Sequence, residues 1–184
     1  MTSPLRSAEL AQLARDVVAT AYLEGDFVLS SGRRSRYYLD KYLFETQPGI
    51  LRRVGRHLGH LVPGSTTRLA APELGAVLLG AAVSLELDLP LVLVRKEAKR
   101  YGTERLIEGV LDTGDRVTVI EDVLTSGGEA MRAIDKLRTA GATVLGLVAV
   151  LDRQEGAAEA LHRIGVPFTP LFRTSDLPIG EDHG

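Results

Sequence analysis

The strongest constraint on the fold is a series of short, almost wholly apolar runs that alternate with segments of helical spacing. A run such as residues 144–151 has no polar face, so it predicts a strand buried on both sides. Such strands, separated by helices, indicate the α/β class, with a central, mainly parallel sheet flanked by helices. We predict strands near residues 27–29, 37–39, 68–71, 91–94, 116–120, 144–151 and 168–172, and helices over 7–23, 48–62, 74–87, 128–140 and 155–163.

The size and composition of the chain narrow its class. Its 184 residues are enough for one domain with a substantial core, so we predict a single domain over residues 1–184. The absence of cysteine excludes disulfides, thiol catalysis and cysteine-bound zinc. A net charge of -2 argues against a general nucleic-acid binder. No signal peptide is evident and no apolar run is long enough to span a bilayer, so we expect a cytoplasmic protein without a membrane partner.

The most informative segment is residues 117–129, where an apolar strand leads through two acids into a hydroxyl- and glycine-rich turn and then a helix. Free backbone N–H groups at a helix N-terminus, with the helix dipole behind them, form an anion site. Glycines let a phosphate approach the backbone, and Thr125 and Ser126 add hydroxyl donors. The acids Glu121 and Asp122 would repel a phosphate but can accept hydrogen bonds from ribose hydroxyls. The alternative is an ordinary capped helix beside two solvated acids.

This segment resembles the phosphoribosyl-pyrophosphate signature of the type I phosphoribosyltransferases, in which an apolar strand precedes two acids, two apolar residues and Thr-Ser-Gly-Gly. Three further segments resemble parts of the orotate-using members of that family, in the family's order. Residues 27–40 resemble the small N-terminal hood (about 20–45), residues 95–103 the mobile catalytic loop (about 96–106), and residues 152–156 the segment that holds the orotate carboxylate. Each basic segment alone could be a solvated surface turn. Together they support the resemblance over roughly residues 20–160.

The resemblance implies the type I phosphoribosyltransferase fold and a pentosyl-transferring enzyme. Its members transfer the phosphoribosyl group from 5-phosphoribosyl 1-pyrophosphate to orotate, giving orotidine 5′-monophosphate and pyrophosphate in de novo pyrimidine biosynthesis. The reaction is a displacement at the anomeric carbon through an oxocarbenium-like transition state. The enzyme must therefore stabilise the charges that develop on the sugar ring and on the pyrophosphate, and it does not need a nucleophilic side chain. Mg²⁺ is the implied cofactor, held mainly by substrate and water with no direct protein ligand. A homodimer with shared active sites is also implied.

The resemblance also assigns roles to individual residues. The expected catalytic residues are Lys99, Lys96 and Asp122. The expected phosphoribosyl-pyrophosphate site comprises Arg95, Lys96, Lys99, Tyr101, Glu121, Asp122, Val123, Leu124, Thr125, Ser126, Gly127, Gly128 and Glu129. The expected orotate site comprises Thr125, Arg153, Tyr38 and Leu39. The guanidinium of Arg153 suits a planar carboxylate because it can bind both oxygens at once.

Three positions depart from the family's pattern. Tyr101 stands where the loop commonly has a histidine, and the ordinary tyrosine pKa of about 10 makes it a poor proton shuttle near neutrality. Leu74 and Ser30 stand where lysines are often found. The pyrophosphate of the substrate would therefore meet fewer cations, so it would bind more weakly or would depend more on Lys96 and Lys99.

Two other functions remain open on sequence grounds. A phosphoribosyltransferase for a purine is the main alternative, although such an enzyme needs neither a carboxylate-binding Arg153 nor the orotate-type hood. The second is a non-catalytic regulator that senses phosphoribosyl pyrophosphate and binds nucleic acid. That function would require a basic face or a DNA-binding appendage, and the net charge of -2 does not favour it.

Overall fold

The computed structural model describes residues 4–28, 34–97 and 105–179. Helices and strands alternate along most of the chain, as the apolar runs predict. In chain order the elements are α1 (Pro4–Ala21), β1 (Tyr22–Val28), β2 (Arg34–Leu39), α2 (Lys41–Glu45), α3 (Pro48–Gly59), β3 (Arg68–Pro72), α4 (Ala76–Leu87), β4 (Leu91–Val94), β5 (Ile107–Glu108), β6 (Arg116–Leu124), α5 (Gly128–Thr139), β7 (Thr143–Asp152), α6 (Ala157–Arg163), β8 (Phe168–Arg173) and a 3-10 turn (Thr174–Asp176). Within these ranges, no helix has both the length and the apolar character needed to cross a membrane.

Six strands of the described chain form the central sheet, in the order β5-β4-β3-β6-β7-β8. Neighbouring strands are parallel except for β4 and β5, which pair antiparallel. Strands β6 and β7 are buried along almost their whole length, which is the environment that near-continuous apolar runs require. The predicted α/β class with a mainly parallel sheet is therefore confirmed.

Two groups of apolar side chains, one on each face of the sheet, form the core. Successive residues of a strand contribute to opposite groups because their side chains point to opposite faces. In β6, Ile120 belongs to the group that includes Leu13 of α1 and Leu58 of α3, whereas Val119 belongs to the group that includes Ile134 of α5. The sheet thus lies between two helical layers, and the loops at its strand ends remain available to build a site.

The strands β1 and β2 form a separate two-stranded antiparallel sheet, called the hood sheet below. Tyr22 of β1 stacks on Tyr37 of β2, with ring centroids 5.7 Å apart. The residues between the two strands, 29–33, lie outside the described part of the chain. This sheet confirms the prediction of a small N-terminal hood, although α1 ends at Ala21 rather than at residue 23.

Two elements differ from the sequence prediction in ways that affect the site. The apolar run predicts that β6 ends at residue 120, but the strand continues through both acids because Val123 and Leu124 still pair with β7. Helix α2 is not predicted from the sequence. It begins after Asp40, whose side chain accepts a hydrogen bond from the backbone N–H of Tyr42 at 3.1 Å. With five residues, α2 is too short to give a periodic apolar pattern.

Candidate active site

The turn between β6 and α5, residues 125–127, presents the N-terminus of α5 to a cleft. Gly127 occupies the N-cap position in the left-handed conformation (φ 78°), which residues with a side chain rarely adopt. No side chain in the described chain caps this helix, so its first backbone N–H groups are available to a ligand. With the helix dipole behind them, these groups and the hydroxyls of Thr125 and Ser126 can hold an anion such as a phosphate.

The cleft has a volume of about 1160 Å³ and lies where several parts of the chain meet. The hood sheet, α2, the turns after β3 and β6, and the segment after β7 all contribute side chains. This edge contains the carboxyl ends of the parallel strands, where open α/β sheets bind ligands. The predicted site residues that line it are Tyr38, Leu39, Lys96, Glu121, Asp122, Val123, Leu124, Thr125, Ser126, Gly127, Gly128, Glu129 and Arg153.

Three predicted site residues are not among those lining the described cleft. Arg95 lies beside it and pairs with Glu73, with Nη1 3.6 Å from Oε2. Lys99 and Tyr101 fall within residues 98–104, which lie outside the described part of the chain. The roles expected for these two residues stay predictions.

The two acids of β6 are both buried at the cleft but differ in their surroundings. Burial, followed by the neighbouring Asp122 carboxylate, raises the pKa of Glu121 far above its ordinary value of 4.5. Glu121 therefore favours its protonated form at neutral pH. Asp122 has a cation beside it, because Lys41 Nζ forms an ion pair with Asp122 Oδ2. A protonated carboxyl group donates a hydrogen bond as well as accepting one. The two acids together can therefore donate to ribose hydroxyls and accept hydrogen bonds from them.

Lys41 and Glu45, both in α2, are charged residues of this region that the sequence patterns did not indicate. Burial by itself lowers the pKa of Lys41, but the Asp122 carboxylate raises it, and the net result is a pKa above the ordinary 10.5. Glu45 is fully buried, and neither carboxyl oxygen has a hydrogen-bond partner in the described chain. Burial and the charge of Asp122 raise the pKa of Glu45 to about 8. The sequence signal that could have found both residues is their position just after Asp40, at the end of the hood segment.

Arg153 directly follows β7 and faces the cleft. Its guanidinium carbon lies 5.7 Å from the centroid of the Tyr37 ring, and its Nε lies 3.2 Å from Glu155 Oε1. The side chain is only 12% exposed, so this arginine does not belong to a solvated surface turn. A guanidinium held beside an aromatic ring and facing a cleft is suited to a planar carboxylate.

The segment that follows β4 is anchored against the cleft. Lys96 Nζ lies 3.0 Å from Glu129 Oε1, and the backbone N–H of Lys96 donates to Glu73 Oε1 at 2.6 Å. Lys136 Nζ of α5 donates to the carbonyl oxygens of Arg95 and Lys96, at 2.6 and 2.8 Å. These contacts hold the Lys96 ammonium group near the first turn of α5, where it adds positive charge to the anion site.

Comparison with known proteins shows which family the chain belongs to. The profile of the phosphoribosyl transferase domain matches residues 45–166, and the chain therefore belongs to the phosphoribosyltransferase family. It is 45% identical over 169 residues to the orotate phosphoribosyltransferase of Methanocella arvoryzae, with 92% of this chain and 95% of that protein covered. The orotate phosphoribosyltransferase of Natronomonas pharaonis is 44% identical over 173 residues, with 94% and 98% covered. Within the family, the chain belongs to the orotate phosphoribosyltransferases.

A solved structure extends the likeness to three dimensions. The crystal structure of Mycobacterium tuberculosis orotate phosphoribosyltransferase in complex with 5-phospho-alpha-D-ribosyl 1-diphosphate matches this chain with a TM-score of 0.80 and 30% sequence identity. The match covers 93% of this chain and 99% of that one. The resemblance indicated by residues 117–129 and the three further segments is therefore confirmed, as is the type I phosphoribosyltransferase fold.

Proposed function

We propose that this enzyme transfers the phosphoribosyl group of 5-phosphoribosyl 1-pyrophosphate to orotate, giving orotidine 5′-monophosphate and pyrophosphate in de novo pyrimidine biosynthesis. The observation behind the proposal is that one cleft contains the uncapped N-terminus of α5, the two acids of β6 and Arg153. A phosphate, a ribose and a carboxylated ring each find a matching partner there. Membership of the orotate phosphoribosyltransferases favours orotate over a purine, and an enzyme over a regulator.

The 5′-phosphate would bind the turn that leads into α5, at Thr125 to Glu129. Backbone N–H groups suit this role because they donate hydrogen bonds to the phosphate oxygens. The helix dipole adds to this attraction. The flanking Val123 and Leu124 belong to the ordered end of β6, so the turn starts from a fixed strand. Such preorganisation lowers the entropic cost of binding.

Glu121 and Asp122 would hold the ribose hydroxyls beside that phosphate. The negative charge of Asp122 also lies where positive charge develops on the sugar ring as the bond to pyrophosphate breaks. A charge that is fixed in place before the reaction stabilises such a transition state without reorganisation. Glu121, which favours its protonated form in the free cleft, would contribute mainly hydrogen bonds.

The departing pyrophosphate would be neutralised by Arg95, Lys96, Lys99 and Tyr101 together with Mg²⁺. The described residues contain no cluster of three or more His, Cys, Asp or Glu side chains that could hold a metal ion. Mg²⁺ keeps several of its waters and binds readily to substrate phosphates, so the site fits an ion held mainly by the substrate and water, with the Asp122 carboxylate available to its bound waters. Bound in that way, Mg²⁺ would supply charge neutralisation of the pyrophosphate.

Orotate would enter on the β7 side of the cleft, with its carboxylate on Arg153. Glu155 occupies that guanidinium in the free enzyme and would give way to the substrate. The backbone at Tyr38 and Leu39, which belong to the hood sheet, and the hydroxyl of Thr125 would meet the rest of the ring. The bidentate geometry of an arginine and a carboxylate would fix the ring so that its nitrogen faces the anomeric carbon.

We also propose a homodimer with shared active sites, in which Lys99 acts in the partner's cleft. Exposed apolar side chains of α4, at Leu78 and Leu85, support a surface that is covered in an assembly. A cytoplasmic location belongs to the same proposal, because substrates as highly charged as phosphoribosyl pyrophosphate do not cross a bilayer unaided.

One assay tests the function directly. The purified protein is incubated with phosphoribosyl pyrophosphate and Mg²⁺, and consumption of orotate is followed beside adenine, hypoxanthine and uracil. We expect turnover of orotate alone, and loss of that turnover in Asp122→Asn. Consumption of a purine base in place of orotate would contradict the proposal.

A further inference from the structure

Lys41 is the first residue of α2, and its ammonium group lies between two parts of the cleft. On one side it forms the ion pair with Asp122 of β6. On the other side it approaches the turn after β3, because a Cβ added to Gly75 would overlap both Lys41 Nζ and the Asp122 carboxylate. The Lys41 side chain is 28% exposed, against 6% for Asp122, so the ammonium covers the carboxylate and still faces the cleft.

The order of the strands indicates which part of the substrate meets Lys41. Strand β6 lies between β7 and β3 in the sheet. The phosphate site at the start of α5 and the carboxylate site at Arg153 lie after β6 and β7. Because the leaving group departs from the face of the sugar opposite to the attacking base, the pyrophosphate must extend the other way, toward the turn after β3. The ammonium of Lys41 lies between Asp122 and that turn.

The turn after β3 supplies no cation of its own. It consists of Glu73, Leu74 and Gly75, and Leu74 is an apolar side chain with 69% of its surface exposed. Arg95, at the end of the adjacent β4, is paired with Glu73. A pyrophosphate that reaches this turn therefore meets a carboxylate, an apolar side chain and an arginine whose charge is already shared with Glu73. Lys41 compensates for that shortage from a different element of the chain.

We propose that Lys41 is a further substrate-binding residue, whose ammonium bridges Asp122 and the pyrophosphate of phosphoribosyl pyrophosphate. An ammonium group has three donors, so it can keep its bond to Asp122 while it donates to a pyrophosphate oxygen. The lysine thereby couples the ribose-binding carboxylate to the leaving group. Its charge matters most as the pyrophosphate departs and gains negative charge. This role rests on the proposed phosphoribosyl transfer and adds a residue to it.

Lys41→Met tests the role, because it removes the charge and keeps an unbranched side chain of similar length. We expect the variant to bind inorganic pyrophosphate with Mg²⁺ about ten- to a hundredfold more weakly by calorimetry, the usual loss for a hydrogen bond to a charged group. Ribose 5-phosphate, which lacks the pyrophosphate, should bind nearly as it does to wild type. In turnover, KM for phosphoribosyl pyrophosphate should rise while KM for orotate stays unchanged. Lys41→Arg should restore part of the affinity for pyrophosphate.

The matched control is Arg52→Gln, which removes an exposed cation of α3 and should leave both affinities unchanged. Equal pyrophosphate affinity in wild type and Lys41→Met would overturn the role. An equal loss for pyrophosphate and ribose 5-phosphate would also overturn it, since Lys41 would then only hold Asp122 in place. If thermal unfolding shows that Lys41→Met does not fold, Lys41→Gln replaces it under the same criteria.

The binding measurement also separates this role from the proposed reaction. Wild-type protein that binds pyrophosphate through Lys41 but does not consume orotate would contradict the proposed function alone. Wild-type protein that consumes orotate while Lys41→Met keeps full affinity for pyrophosphate would contradict the role of Lys41 alone.

Discussion

Replacing Glu45 by glutamine removes a buried carboxyl group close to the ion pair of Lys41 and Asp122. The side chain is fully buried, and its oxygens have no hydrogen-bond partner in the part of the chain that the structure describes. Burial and the charge of Asp122 raise the pKa of Glu45 from 4.5 to about 8. The folded protein therefore keeps this proton at pH values where the unfolded chain has already released it.

The sign and size of the effect on stability follow from proton linkage. Between pH 4.5 and about 8 the folded state binds one proton more at Glu45 than the unfolded state, so the free energy of unfolding falls as pH rises. The slope is about 1.4 kcal/mol per pH unit for one such group. Glutamine does not titrate, so Glu45→Gln should gain roughly 2 to 3 kcal/mol on wild type between about pH 5.5 and 7.5. Glu121, whose pKa is raised in the same direction, is present in both proteins, so its contribution largely cancels in the difference.

Urea unfolding at several pH values and a fixed protein concentration measures this difference. Burying the uncharged amide of glutamine changes the free energy of unfolding by the same amount at every pH. It therefore shifts the whole curve of the variant but does not change the dependence of that free energy on pH. Glu9→Gln, at an exposed position of α1, is the matched control and should follow wild type at every pH. If the free energies of wild type and Glu45→Gln run parallel from pH 5.5 to 7.5, Glu45 is not protonated in the folded state and the reasoning fails.

Three further predictions concern the proposed chemistry. Arg153→Ala should lower kcat/KM for orotate by about a hundredfold or more, because the buried carboxylate of orotate would lose its charged partner. Binding of phosphoribosyl pyrophosphate should stay near wild type. Unchanged orotate kinetics would refute the role of Arg153. Mixing inactive Lys99→Ala with inactive Asp122→Ala should restore activity, because one site of a mixed dimer collects both intact residues; no recovery after demonstrated subunit exchange would mean that the loop serves its own chain. Tyr101→Phe should cost about 0.5–1.5 kcal/mol, or some two- to tenfold in rate, as expected for one neutral hydrogen bond. A thousandfold loss in kcat/KM for that variant would instead mean that the hydroxyl takes part in proton transfer.

Local sequence patterns predicted the parallel strands of the central sheet, most clearly the buried β6 and β7, but they missed the two-residue β5 at its edge. Residues 91–94 and 144–151 have no polar positions that could face solvent, and the structure has strands at both sites. By the same criterion, the predicted β6 ends too early, because Glu121 and Asp122 interrupt the apolar run. Pairing with β7 continues past the acids, and composition alone carries no information on such pairing. The assignment of a single domain to residues 1–184 stays a prediction.

The candidate site was predictable where it is continuous in sequence and less so where it is assembled in space. Residues 117–129 contain the acids, the turn and the start of α5 in one stretch, so their spacing alone indicated a phosphoribosyl site. Lys41 meets Asp122 across 81 positions, and Glu45 is buried in α2, a helix too short to give a periodic signal. Contacts of that kind depend on how α2 packs against the rest of the fold. Their position just after Asp40 links both residues to the hood segment, but no local pattern shows the ion pair of Lys41 or the burial of Glu45.

The pairing of cations with carboxylates has a consequence for how the enzyme selects its ligands. Within the described part of the cleft, every lining cation faces an acid before substrate arrives: Lys41 faces Asp122, Lys96 and Arg132 face Glu129, and Arg153 faces Glu155. Because they belong to the same chain, these carboxylates compete with anionic ligands for the cations. Their effective concentration is set by the fold and not by the solution. At these cations, a single phosphate or sulfate ion must share or displace one of the carboxylates and gains little from the exchange, whereas the N-terminus of α5 has no side-chain cap to displace in the described chain. A ligand with a phosphate and a pyrophosphate on one ribose meets several such pairs for one loss of translational freedom. At its paired cations the cleft therefore favours a ligand with several charged groups, and simple anions should compete poorly with the substrate there.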